Sequence, residues 1–170
     1  MLEELKEDEI YLTTRRICST VKKSLDIHRI ADEAKVLHLS RTSTQIYKLK
    51  LEPTSLAEAA LKDVSVRSRL SELKASAYRQ KIVLEKATEK CQAHVSVVYQ
   101  AEIKLLTSNA SDRKHLFNKI LAPIVELISD LDGLLEILEI HLKDIDQASF
   151  ALRNATEMLK VLMERAPQRV

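Results

Sequence analysis

Cys91 and His94 stand three residues apart, a spacing that would put a thiol and an imidazole on one helical face as two of the ligands zinc takes. Zinc needs four ligands, and no second pair stands nearby. Both positions also fall on an apolar stripe where a free cysteine acts as a small hydrophobe, so no metal is expected there. Glu136, Glu139 and His141 gather carboxylates and an imidazole, but they miss the Glu-x-x-His spacing of di-iron helix bundles because residue 138 is Leu. Cys18 and Cys91 have no CxxC partner, which argues against a disulfide framework and a zinc ribbon. A glycine-rich phosphate loop and a nucleophile elbow are both missing from the sequence. The chain is therefore read as non-enzymatic, with no catalytic residue, cofactor or small-molecule substrate.

The remaining polar chemistry is charge. The net charge of +2 hides a gradient: residues 10–50 hold nine bases against three acids, while residues 107–170 hold eight bases against ten acids. Arg15, Arg16, Lys22, Lys23 and Arg29 form the basic surface of the first helical segment, which Lys35, Arg41, Lys48 and Lys50 extend. Such a face could meet an acidic protein or nucleic acid. No aromatic residues are interleaved for base stacking, so a solvated helix face is the simpler reading.

What would position these groups is helix. The chain has a single glycine, Gly133, where turns and phosphate loops need residues tolerant of positive φ; a sheet or a nucleotide-binding α/β domain is thereby disfavoured. Apolar residues recur at alternating steps of three and four along two long stretches. The first seam includes Leu70, Leu73, Leu84, Cys91, Val98 and Leu105, and the second Phe117, Ile124, Leu131, Leu138, Ile145, Leu152 and Leu159. A repeat averaging 3.5 residues predicts supercoiled helices meeting along their length. The expected fold is all-α: an elongated antiparallel helical hairpin or coiled coil of three long helices, forming one elongated domain.

Two punctuation points set the segments. Glu52-Pro53-Thr54-Ser55 ends the first helix, and Ser55 with Glu58 forms a capping box for the second. Thr107 to Asp112 is rich in small side-chain oxygens that can cap the third. The expectation is a basic N-terminal helix over 1–51 with a hinge near 40–44, a second helix over 55–106, and a third over 112–166 kinked at Pro123. The second helix would be about 75–80 Å long at 1.5 Å per residue, which predicts a rod. Gly133 lowers helix preference by about 1 kcal/mol, an amount that packing can override.

Polar breaks in the seams carry register information. If the second and third helices pair through the 107–112 turn, residues whose numbers sum to about 222 share a layer, and Gln80 falls beside His141. The two then either form a polar pair that fixes register or both point outward where a groove opens. Between Ile120 and Leu142 the apolar stripe is wider than one neighbour could cover, so Leu121, Val125, Ile128, Leu135, Ile137, Ile140 and Leu142 are candidates for a partner interface. The sparse first helix could cover only part of this surface.

No stretch approaches the roughly 20 apolar residues needed to span a bilayer. The start, MLEELKEDEI, is acidic where a secretory signal would be basic and then apolar, so a cytoplasmic or nuclear location without an integral membrane segment is expected. The leading reading is a structural subunit of a hetero-oligomer that joins other coiled-coil subunits. The alternatives are a membrane-remodelling or lipid-binding helical module, or an adaptor of another tethering complex. The run HLFNKILAPIVELISDLDGLLEILEIHL followed by ALRNATEMLKVLMERA resembles small coiled-coil subunits of microtubule-associated complexes, especially augmin (HAUS), over residues 112–165. That resemblance implies a cytoskeletal or spindle subunit whose microtubule association is made through other subunits. RRICSTVKKSL, residues 15–25, is similar to a piece of a small kinetochore–microtubule subunit of the Ska type.

Overall fold

The computed structural model describes residues 2–43 and 52–165, and every regular element among them is an α-helix. In chain order these are α1 (Leu2–Leu5), α2 (Glu9–Ser24), α3 (Ile27–Leu39), α4 (Pro53–Val98), α5 (Gln100–Leu106), α6 (Ala110–Ile120) and α7 (Ala122–Arg165). They form two compact units, one built from Met1–Ile27 with Ser76–Leu135 and the other from His28–Ala75 with Glu136–Val170. None of the described helices is long and apolar enough to cross a membrane.

Over residues 2–39 the expected single helix is broken into three, and the breaks have local causes. Asp8 starts α2: its extended backbone lets Oδ1 accept the N–H groups of Ile10 and Tyr11, both at 3.0 Å. Leu25 ends α2 in an extended conformation, with its N–H on the Val21 carbonyl and its side chain buried. Lys22 and Lys23 occupy the last turn, where positive charge suits the helix dipole. α3 ends at Leu39. The part of the expected helix and hinge that falls on residues 44–51 lies outside the described residues.

In the first unit, α2 turns Thr14, Cys18 and Val21 inward. The Thr14 hydroxyl donates to the Ile10 carbonyl at 2.8 Å, which satisfies it inside an apolar face, and the Cys18 thiol donates to the Pro123 carbonyl at 3.7 Å. Leu84, Cys91, Ile124, Leu127 and Leu131 of the same unit are buried as well. The interruption expected at Pro123 falls two residues earlier, at Leu121. Proline has no N–H to offer the preceding turn, so α6 closes on the Leu121 N–H to Phe117 carbonyl bond, and α7 restarts with Pro123 in its first turn. Asn109 caps α6 by accepting the Asp112 N–H at 2.9 Å.

The seam deviates from its expected path beyond Cys91. Val98 is 54% exposed and Leu105 is 88% exposed, while Val95, Tyr99 and Ile103 are buried instead. A 3.5-residue repeat drifts around a straight helix of 3.6 residues per turn, and steps of four from 91 to 103 restore the inward face. The helix also bends at Tyr99, which separates α4 from α5 while its N–H still reaches the Val95 carbonyl at 3.0 Å.

The second unit combines α3, the first part of α4 and the later part of α7. Its core includes Ile30, Ala34, Val66, Leu70, Leu138 and Ile145, and one end is closed by Leu56, Ala59 and Leu152 with Ala155 and Leu159 packed against them. Ion pairs line its margins: Arg67 with Asp146 at 2.8 Å, Arg69 with Glu33 at 2.7 Å, and Lys74 with Glu139. In the two α4–α7 pairs the residue numbers sum to 213, which sets residue 141 level with residue 72. The expected register, and with it the proposed Gln80–His141 pair, is therefore corrected by about two helical turns. Gln80 belongs to the first unit, and His141 finds a different partner, His38.

Candidate functional site

Polar groups inside a small helical unit have to satisfy one another, and the second unit contains two such groups close together. Asp63 is an acidic break in a mostly apolar seam, so its burial demands a cation. Arg41 supplies it: Nε donates to Asp63 Oδ1 at 2.8 Å and Nη2 to Oδ2 at 3.2 Å. The Ser43 hydroxyl adds a 2.6 Å bond to Oδ1 and accepts from Arg41 Nη2 at 3.1 Å. All three side chains are buried. Arg41 and Ser43, within the stretch expected to hinge near 40–44, are thus tied to α4 through this network.

The second group joins the last turn of α3 to α7. The His38 and His141 rings stack with centroids 4.4 Å apart and planes 25° from parallel. His38 Nε2 lies 4.0 Å from the Asp144 carboxylate. His141 and Asp144 share a face of α7 because they are three residues apart. Burial, reinforced by the His38 ring and the Arg41 charge, holds His141 below the usual histidine range against an opposing pull from Asp144. The Nδ1 atoms of both rings are buried without a hydrogen-bond partner. A buried polar atom left unpaired costs about 1–3 kcal/mol, so this spot is locally under-satisfied.

Comparison with protein-family models, with curated proteins and with solved structures returns no match.

The sequence-predicted residues distribute as follows. Leu70, Leu73, Leu84, Cys91, Ile124, Leu131, Leu138, Ile145 and Leu152 are buried, and Phe117 and Leu159 are half-buried. Cys91 and His94 do not act together: Cys91 is sealed in the core, while His94 Nε2 sits 2.8 Å from Asp8 Oδ2. Burial pushes the Cys91 thiol up, against a hydrogen bond with Thr14 that pulls it down, so it stays protonated and unreactive. Among the partner-interface candidates, Leu121 is corrected to a core residue, since it lines a pocket of the first unit with Tyr11, Cys18 and Ile124. Val125, Ile128, Leu135 and Leu142 are half-buried, and Ile137 and Ile140 remain exposed. α2 supplies cover over the start of α7 that the sequence assigned to another chain. Arg15, Arg16, Lys22, Lys23 and Arg29 are exposed, with the Arg15 guanidinium 5.9 Å above the Tyr11 ring.

An uncovered apolar surface lies further along α7 than the sequence indicated. Phe150, Met158, Leu162 and Met163 are each more than 60% exposed, and Val161 joins them. Grooves of ≈ 420 Å³ and ≈ 440 Å³ run beside these turns, one lined by Met158, Val161 and Leu162 and the other by Leu159, Met163 and Pro53. The signal was present as the apolar spacing of MLKVLM, residues 158–163, which has more apolar positions than one seam uses.

Proposed function

We propose that the chain is a non-enzymatic structural subunit of a larger helical assembly. In this reading α4 and α7 hold each other as an antiparallel coiled-coil pair, and the last turns of α7 receive a helix of another protein. The ion pairs Arg67–Asp146, Lys74–Glu139 and Lys81–Asp132 support the pairing, since numbers rise on one helix as they fall on the other. The observation that carries the assembly role is the exposed apolar end of α7, where Met158, Leu162 and Met163 would lie in water without a partner. Methionines suit such a surface because their flexible side chains adapt to a partner helix. The resemblance of residues 112–165 to augmin subunits makes a microtubule-organising complex the class of assembly we favour, with lattice contact left to other subunits.

The test compares the full chain with a Met158→Glu, Leu162→Glu variant. Both side chains are already exposed, so thermal unfolding should be unchanged. The wild-type chain should self-associate in sedimentation when alone and enter a defined complex with helical partners purified from native cells. The variant should lose both behaviours. A monomeric wild type whose complexes are indifferent to the two charges would refute the reading, and binding to anionic vesicles in place of protein would favour the lipid-binding alternative.

A further inference from the structure

From the clustering of His38, His141 and Asp144 we infer a binding site for a divalent transition-metal ion, zinc above all, that clamps the end of α3 to α7. Each residue offers one ligand atom, and these atoms lie within 4.8 Å of one another. Zinc bonds of about 2.0–2.1 Å in a tetrahedral shell hold ligand atoms roughly 3.3 Å apart, so splaying the stacked rings and rotating the Asp144 carboxylate brings the three donors into range. The ligand types match the ion: imidazole nitrogen suits zinc and its neighbours in the first transition row, whereas magnesium and calcium prefer all-oxygen shells. Three protein ligands leave one position for water.

A further observation is the unmet polar capacity of the two rings. The Nδ1 atoms of both histidines are buried with no hydrogen-bond partner, although each ring needs one if it is not to carry an unsatisfied polar atom. Arg41, whose charge acts on His141, is already matched by the Asp63 carboxylate through two hydrogen bonds, which moderates its repulsion of an incoming ion. The spacing His141-x-x-Asp144 places two donors on one helical face, and α3 brings the third from a neighbouring element. The motif is therefore invisible to any search for clustered ligands in the sequence. The inference is independent of the assembly role, since the proposed ligands lie apart from Met158 and Leu162 in sequence and are half-buried in the second unit.

The experiment uses the full chain after chelator treatment, titrated with Co²⁺ followed by optical absorption and with Zn²⁺ followed by calorimetry. One Co²⁺ per chain should bind with the visible bands of a tetrahedral site, be displaced by Zn²⁺, and raise the melting temperature. His141→Ala should abolish the bands. Asp144→Asn, at a side chain nearly half exposed, should fold normally and weaken binding by more than roughly tenfold. His38→Gln should behave like Asp144→Asn. Absence of the bands in the wild-type chain would overturn the inference, as would stoichiometric binding that survives Asp144→Asn and His38→Gln.

Discussion

The Arg41 guanidinium holds the Asp63 carboxylate by two hydrogen bonds, 2.8 Å from Nε and 3.2 Å from Nη2, and neither side chain is measurably open to solvent. This pair ties the segment after α3 to α4. Burying two charges brings little net stability, but removing one partner strands the other in a poor solvent. Asp63→Ala should therefore cost about 3–5 kcal/mol in urea unfolding, and the double change Asp63→Leu, Arg41→Met should recover much of that loss. Ser43→Ala, which removes a single hydroxyl from the same network, should cost only about 1 kcal/mol.

Asp8 links a helix cap to a long-range contact, and its protonation should be visible in stability. Burial pushes its carboxyl up, but hydrogen bonds from the Tyr11 N–H, His94 and the Ile10 N–H outweigh burial and hold it below the ordinary value of 3.8. The unfolded chain then takes up the proton more readily than the folded one. The contribution is present above pH about 4 and is lost as pH falls through the lowered folded value. Thermal melts between neutral and acid pH should show this loss in the wild type. Asp8→Asn, which caps equally well but cannot titrate, should show a flatter acid limb.

Gly133 sits inside α7, where an added Cβ would meet nothing within 4 Å. Its backbone is helical, so the residue gives flexibility to the unfolded chain without relieving any strain in the folded one. Gly133→Ala should stabilise the protein by about 0.5–1 kcal/mol, read as a higher melting temperature.

The rotation of the apolar seam past Cys91 predicts opposite outcomes for neighbouring residues. Ile103→Ala should cost about 2–5 kcal/mol because it empties a buried site, while Leu105→Ala should change stability by less than about 0.5 kcal/mol. Equal effects at the two positions would place the seam where the 3.5-residue repeat put it. Denaturant midpoints for the two variants decide between these outcomes.

The helical class was legible because one glycine and a sustained step of three and four leave few alternatives. The buried identities of Leu70, Leu84, Leu131 and Leu138 followed from that same periodicity. The inward residues after Cys91 were not legible, since a repeat extrapolated along one helix cannot register where that helix straightens or bends, as it does at Tyr99. Asp63 announced itself as an exception in the seam, yet its partner Arg41 is 22 residues away and was grouped with the surface cations. His141 stood out only as a polar break in its seam and His38 carried no local signal: their proximity depends on how α3 packs on α7, and a one-turn error in register moves one imidazole away from the other.

The two compact units interleave along the chain, each drawing on an early and a late stretch. No single cut can therefore release them as separate pieces. A truncation after residue 135 spares the first unit but leaves half of the second attached and unmatched, and removal of residues 1–27 does the reverse. For genetics, premature stop codons and deletion series will report damage to one unit as misfolding of the remainder. Alleles that separate one role from another will have to be point substitutions on exposed faces.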